Sequence, residues 1–324
     1  MKTITYGQAI NEALYEEMQR DSAVVLLGED ITIYGGAFGV TKDLWKIFGK
    51  DRVINTPISE NSFVGAATGM AMMGLRPVVE IMFMDFITLA CDQIINQAAK
   101  LPYLYAGQVS VPMVIRTPAG AGRGYGASHS QSLERLFMGI PGIKIVSPYT
   151  PYEAKGLLKS AIRSDSLIIF VEHKLLYSRQ GQVPETECLL EIEKAQVLKE
   201  GKDVTLISYS KMLDCCLEAA DALSGDVDLE IINLRSLRPI DIDTIAKSVK
   251  KTGRVVIVEE GHKAGGVGSE ICSQIAESCL EYLNGRIVRV ASEETPIPSS
   301  RVLEDAILPN RDKIIDAVKK TFVW

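Results

Sequence analysis

The chain lacks most of the features that would tie it to nucleic acid, membrane or metal. No run of Lys or Arg exceeds two residues and the formal net charge is −6. Neither DNA nor RNA nor an anionic bilayer would attract such a surface. The longest weakly charged stretch, Asn61 to Gly74, is too short and too rich in Gly and Ala to span a bilayer. The N-terminal MKTITYGQAINEALYEEMQRD has no apolar core behind basic residues, so the expectation is a cytoplasmic chain without a signal peptide. The six cysteines form no CxxC pair, and none lies at zinc-ligand spacing from one of the three histidines. There is no GxxxxGK[ST] phosphate loop, no GxGxxG fingerprint and no Gx[ST]xG nucleophile elbow.

What is present is 324 residues, 47% of them hydrophobic and 23% charged, an ordinary globular balance for two domains. Apolar runs such as VVLLG (24–28), PVVEIMFM (77–84), VPMVIRTP (111–118) and LIIFVEH (167–173) alternate with helical patterns. One of these patterns, FITLACDQIINQAAKLPYLYA after Asp85, predicts a single long helix. The periodicity stops between Lys174 and Glu193, then resumes with VTLISYS, LEIINLRSL, VVIVEE and IVRVAS. Continuous apolar strands alternating with helices predict parallel sheets covered on both faces. The expected architecture is α/β: two tandem parallel-sheet domains, residues 1–185 and 186–324.

Such sheets bind ligands at the carboxyl ends of their strands. Four strand-end loops there carry polar groups: Gly28–Asp30, Thr56–Glu60, Arg116–Gln131 and Glu259–Gly268. Glu60 opens the pattern ENSFVGAATGMAMM, an uncharged helix of small residues that predicts burial on every side, with Ser59 or Asn55 as its cap. By pattern alone a first-turn acid is a partner of the helix dipole. His129, in the Gly-rich loop AGAGRGYGASHSQ, is a candidate acid–base group near neutral pH, as polar histidines in loops are. EEGHKAGGVGSEI is either a tight turn or an anion seat at a helix N-terminus.

Several blocks in one order carry a resemblance: LLGED, YGGAFGVTK, TPISE, GLRPVVEIMFMDF, DQIINQAAK, SHSQS, PYEAKGLLKSAIR, FVEHKLLY, NLRSLRPID, KTGRVVIVEEG and GGVGSEI. The chain resembles, end to end, the β subunits of the thiamine-diphosphate-dependent 2-oxo acid dehydrogenases, which include pyruvate, branched-chain and acetoin members. The resemblance implies a transketolase-like pyrimidine-binding domain followed by a transketolase C-terminal-type domain. It implies an α2β2 heterotetramer in which the α subunit holds the diphosphate and its Mg²⁺ through a GDG…N motif. This chain has only GED at 28–30. It implies that Glu60 shares a proton with N1′ of the pyrimidine, that Phe86 and Ile58 also contact the cofactor, and that His129 serves acyl transfer to the lipoyl group of an acyltransferase. In the common AQHSQ block the residue before the His is Gln; here it is Ser128. A structural K⁺ in some members maps to Met113, Ala161, Ile162, Ser164 and Ser166, with Ser164 where an acid is usual. FVEHKLLYSRQGQVPE and TPIPSSRVLED look closest to acetoin members, YGGAFGVTK and EEGHKAGGVGSEI to pyruvate members. A reading of another class, an idle assembly subunit that only docks partners, is opposed by the presence of both Glu60 and His129.

Overall fold

The structure, a computed structural model, describes residues 1–323. It separates into two units, each an α/β sandwich built on a mostly parallel sheet. The first comprises Met1–Ala119 with Gly139–Ile192; the second comprises Gly120–Met138 with the chain from Glu193 onward.

In the first unit, β1 (Lys2–Thr5) leads into α1 (Tyr6–Arg20), and Thr5 with Gln8 closes a capping box at its start. Then follow β2 (Val24–Gly28), α2 (Leu44–Phe48), β3 (Val53–Asn55), α3 (Glu60–Met72), β4 (Arg76–Glu80), α4 (Leu101–Leu104), β5 (Val114–Ala119), β6 (Ile143–Val146), α5 (Pro151–Arg163), β7 (Leu167–His173) and β8 (Gln180–Val183). Within this unit the parallel strands lie in the order β6-β7-β5-β4-β2-β3, and β8 pairs antiparallel with β1. β2 and β5 are buried along their whole length, as an inner strand of a sheet covered on both faces must be. Helices α1 and α5 meet through acids and bases as well as apolar side chains. Lys155 and Lys159, both almost fully buried, reach Glu16 at 2.6 Å each, and Arg163 reaches Glu17 at 2.7 Å. Buried cations persist only when paired in this way.

Two expectations for this unit need correction. The stretch after β4 is not one helix: it is a 3₁₀ turn (Met84–Ala90), a π-helical segment (Asp92–Ala98) and then short α4. Thr88 Oγ1 and Cys91 Sγ donate back to the carbonyls of Asp85 and Ile87, which favours a bend there, and Pro102, at the start of α4, has no N–H to continue the ladder from the segment before it. Helix α3 is also not buried all round. Phe63, Val64, Ala67 and Ala71 face the core, while Ser62, Ala66, Gly69 and Met73 at its end are exposed, Met73 at 85%. Small residues lowered the polarity of the outer face without burying it in this chain.

The second unit carries β9 (Gln196–Lys199), β10 (Val204–Ser208), α6 (Met212–Ala222), β11 (Leu229–Asn233), β12 (Ser236–Arg238), α7 (Ile242–Thr252), β13 (Val255–His262), α8 (Val267–Cys279), β14 (Val288–Ser292), α9 (Arg301–Ile307) and α10 (Arg311–Lys320). Its sheet runs β14-β13-β10-β11-β9, parallel except for β9. Helix α9 and strands β1, β8 and β9 have too little periodicity to be read from sequence.

Candidate functional site

Sheet register sets the site in the first unit. Gly28 lies level with Asn55 on one side and Glu80 on the other, and Glu80 lies level with Arg116. The carboxyl ends of β2, β3 and β4 therefore lie level, with Arg116 inside the longer β5 beside them. A Cβ on Gly28 would stand 2.8 Å from the Glu80 carbonyl oxygen, so only glycine lets β2 and β4 close up there.

Glu60 is the first residue of α3 and is 5% exposed. Ser59 stands at the N-cap but makes no capping bond, contrary to the expectation, because its hydroxyl pairs with Ser62 Oγ at 2.8 Å. No hydrogen bond or ion pair from the described residues reaches the Glu60 carboxyl. Beside it, at the end of β2, is Glu29, 4% exposed and with Oε1 unpartnered. Burial and the neighbouring Glu60 and Asp30 charges push the Glu29 carboxyl up to about 7. Thr56, between β3 and α3, also buries an unpartnered Oγ1. Buried polar atoms without partners are uncommon in folded chains and mark places where something else bonds. Glu29 escaped the sequence reading as a site residue, although GED closing a buried strand opposite TPISE was its signal.

Phe86 lies half-buried in the 3₁₀ turn after β4. It packs edge-on against Phe83 at 5.8 Å, Phe83 meets Phe38 at 5.6 Å, and Phe38 stacks on Tyr177 at 5.0 Å. Beneath this string lies Arg116, 2% exposed, whose presence in an apolar strand was the overlooked signal. Its Nε and Nη2 donate to both oxygens of Glu172 at 2.7 and 3.0 Å, and Nη1 donates to Glu80 at 2.7 Å. Tyr177 donates to the same Glu172 at 2.7 Å, and burial raises the Glu80 carboxyl above its ordinary value. Gly36 lies against the Glu80 carboxylate where no side chain would fit, so the fork also fixes the 35–38 loop that carries Phe38. Ile58 is 82% exposed on the loop before α3.

The residues proposed for K⁺ are all in the first unit, and oxygens of Met113, Ala161, Ile162 and Ser164 already have partners. The Met113 carbonyl accepts from Ile168 N–H at 2.9 Å and that of Ala161 from Ser164 N–H at 3.2 Å. Arg76 Nη1 donates to the carbonyls of Ile162 and Ser164 at 3.1 and 3.0 Å, and Nη2 to Asp165 at 2.6 Å. Ser164 Oγ accepts from Ser166 N–H at 3.3 Å.

His129 belongs to the second unit, whereas Glu60, Phe86 and Ile58 belong to the first. Its ring Nδ1 lies 2.8 Å from Ser128 Oγ and its N–H donates to Gly126 O at 3.3 Å. In the same unit the first turn of α8 seats an anion after all, but it is the chain's own. Glu259 accepts from Gly268 N–H at 3.1 Å, and a Cβ at Gly268 would lie 2.6 Å from its Oε1. Burial and Glu134 raise that carboxyl to about 7. Among the described residues no group of three or more His, Cys, Asp or Glu side chains is placed to hold a metal ion, and no helix is long and apolar enough to cross a membrane.

Comparison with known proteins agrees with the α/β fold. Residues 2–180 match the transketolase pyrimidine-binding domain and residues 193–314 the transketolase C-terminal domain. A pyruvate dehydrogenase E1 component subunit beta from Porphyra purpurea is 48% identical over 320 residues, covering 98% of this chain and 97% of that one. The beta subunit of an acetoin:2,6-dichlorophenolindophenol oxidoreductase from Cupriavidus necator is 44% identical over 324 residues, covering 97% and 96%. Among solved structures, a split-gene transketolase described as an inactive β4 tetramer superposes with a TM-score of 0.81 over 98% of both chains at 23% identity, a likeness of fold.

Proposed function

We propose that this chain, which belongs to the family of β subunits of the thiamine-diphosphate-dependent 2-oxo acid dehydrogenases, serves the oxidative decarboxylation of pyruvate and the reductive acylation of a lipoyl group on an acyltransferase. The observation that carries the assignment is Glu60: a buried carboxyl without a partner, at the head of a helix and beside a second acid.

The residues of this corner fit the pyrimidine of the cofactor. The unpaired oxygens of Glu60, Glu29 and Thr56 match a ring edge with nitrogen donors and acceptors, and Phe86 offers an apolar face. When bound, thiamine diphosphate supplies the carbanion that adds to the 2-oxo carbon. Glu60, buried at the head of α3, holds a proton at N1′ of the pyrimidine. Glu29, with a carboxyl that titrates near neutrality, keeps the pair from carrying two full charges and so supports Glu60. His129 serves as the proton donor when the acyl group passes to the dithiolane. The exposed outer face of α3, from Ser62 onward, is the surface for the α subunit of an α2β2 assembly. That subunit holds the diphosphate and Mg²⁺.

The residues do not fit a required K⁺. Arg76 already brings a positive charge to the carbonyls of Ile162 and Ser164, and a second cation on them would face its guanidinium. No step depends on the ion. The six cysteines are free thiols, in keeping with a reducing, cytoplasmic setting.

A second reading, cleavage of acetoin with acetyl transfer to lipoyl, is supported by the 44% identity to the Cupriavidus necator chain over 96% of its length. Co-expression with the α subunit and a panel of pyruvate, acetoin and branched-chain 2-oxo acids separates the two. Pyruvate as the substrate with the highest kcat/KM upholds the assignment. Turnover of acetoin alone replaces it with the second reading, and no turnover of any of them overturns both.

A further inference from the structure

The alternating glycines of GAGRGYG have a structural cause in the second unit. Gly120, Gly122, Gly124 and Gly126 all have positive φ, at 91°, 94°, 69° and 71°. A Cβ on Gly124 would meet the carbonyl oxygen of Ser299 at 3.0 Å, and one on Gly126 would meet Ser299 Cβ at 3.4 Å. Gly124 and Gly126 thus lie against the segment that enters α9, while Arg123 and Tyr125 beside them are exposed. Left-handed backbone at alternate positions turns successive N–H groups to one side, which is the arrangement that binds anions.

The anion present is a side chain of this chain, Glu304 on α9, which is fully buried. Its Oε1 accepts from Gly122 N–H at 2.8 Å and its Oε2 from Gly124 N–H at 3.1 Å. A second buried acid, Glu260 at the end of β13, accepts from Ala121 N–H at 2.6 Å and from Ser132 Oγ at 3.3 Å. Gly120 N–H donates to Gln131 O at 3.4 Å, so the two feet of the loop are tied together. Glu260 therefore holds the feet and Glu304 the middle. The part of the loop between those grips runs on from Gly126, whose carbonyl accepts the N–H of His129.

We propose that Glu304 is a positioning residue for the acyl-transfer step, acting through the Gly122 and Gly124 amides to fix the loop conformation in which His129 is presented. The inference rests on the reading of His129 as the acyl-transfer proton donor. Glu304 touches neither substrate nor cofactor; it acts through the backbone. Both oxygens are used, and the acceptor must be an anion of this length. Gln keeps one acceptor and sets an NH₂ donor against the other N–H, so one grip is lost and repulsion takes its place. Asp keeps the charge but withdraws it by one methylene.

The test uses the complete α/β enzyme with Glu304→Gln, Glu304→Asp, His129→Ala and the double variant Glu304→Gln/His129→Ala. Decarboxylation is read with a dye electron acceptor and acyl transfer with a free lipoyl domain. Hydrogen exchange over residues 119–131 reports the loop whatever the activity. The expected result for Glu304→Gln is acyl transfer slower by about 10–100-fold, the usual cost of a small misplacement. Dye-linked decarboxylation stays within about twofold, since that step does not use the loop. Glu304→Asp falls between Gln and wild type, and the 119–131 amides exchange faster in both single Glu304 variants. Two residues acting as one unit are non-additive, so the double variant is no slower than His129→Ala. Equal loss of both activities, full additivity with His129→Ala, or unchanged loop exchange overturns the proposal. If His129→Ala impairs acyl transfer and Glu304→Gln does not, the proposal alone fails. If His129→Ala leaves acyl transfer intact, the reading beneath it fails as well.

Discussion

Replacing Glu29 by Gln tests the carboxyl pair by stability before any cofactor is added. Burial and the charge of Glu60 raise the Glu29 carboxyl from an ordinary 4.5 to about 7. A carboxyl whose pKa is higher in the folded than in the unfolded chain binds its proton more tightly when folded. Its contribution is thus most favourable below pH 4.5, declines as pH rises through the interval from 4.5 to 7, and levels off above. The full interval corresponds to about 3 kcal/mol at 1.36 kcal/mol per pH unit. Solvent at the mouth of the site screens part of this and leaves about 1–2 kcal/mol. Gln keeps the shape and carries no charge at any pH. Glu29→Gln should therefore match wild type at pH 4.5 and exceed it by about 1–2 kcal/mol at pH 8. Trp45 in α2 reports the first unit, so urea unfolding followed by its fluorescence, in a Trp324→Phe background, measures the difference at each pH. A constant offset across that pH range, or a less stable variant at pH 8, would refute the reasoning.

Arg116→Met removes the fork and leaves Glu80 and Glu172 buried without their counter-charge. The expected loss is about 3–5 kcal/mol at pH 8, smaller at pH 5 where an abandoned carboxyl can protonate. A loss below about 1 kcal/mol at pH 8 in the same urea assay would show that the fork is not what holds that strand end. Exchange of K⁺ for Na⁺ at constant ionic strength should leave the thermal midpoint of the wild-type assembly unchanged within about 1 °C, because Arg76 occupies the carbonyls. A rise specific to K⁺ and saturable at millimolar levels would restore the ion to that site.

Much of the fold was legible because parallel strands buried on both faces read as apolar runs. LIIFVEH became β7 at residues 167–173 without adjustment. The failures occur where side chains compete with the backbone or a neighbour is missing. The segment after Asp85 has helical periodicity, but its Thr88 and Cys91 bond backward and Pro102 interrupts, and no period reveals that. Helix α3 looked buried because Ser, Ala, Gly and Met are compatible with burial; whether they are covered depends on a surface outside this chain. The candidate residues Glu60 and His129 came from the sequence, Glu60 through TPISE and His129 through SHSQ. The groups that condition them did not. Glu29 and Arg116 are set beside their partners by register, and Glu304 reaches Gly122 and Gly124 of the His129 loop from 182 and 180 residues away. Contacts of that kind leave no local pattern.

The central claim is that Glu60 holds the proton on N1′, and the most direct measurement of it is exchange of the thiazolium C2 proton of the cofactor in the α/β complex. Quenched-flow deuterium exchange read by proton NMR gives that rate with no substrate present. Glu60→Ala and Glu60→Gln should both bind the cofactor, remain folded and exchange at least about 100-fold more slowly than wild type, as expected for loss of a proton-transfer group. Exchange in Glu60→Ala at a rate near wild type would contradict the account.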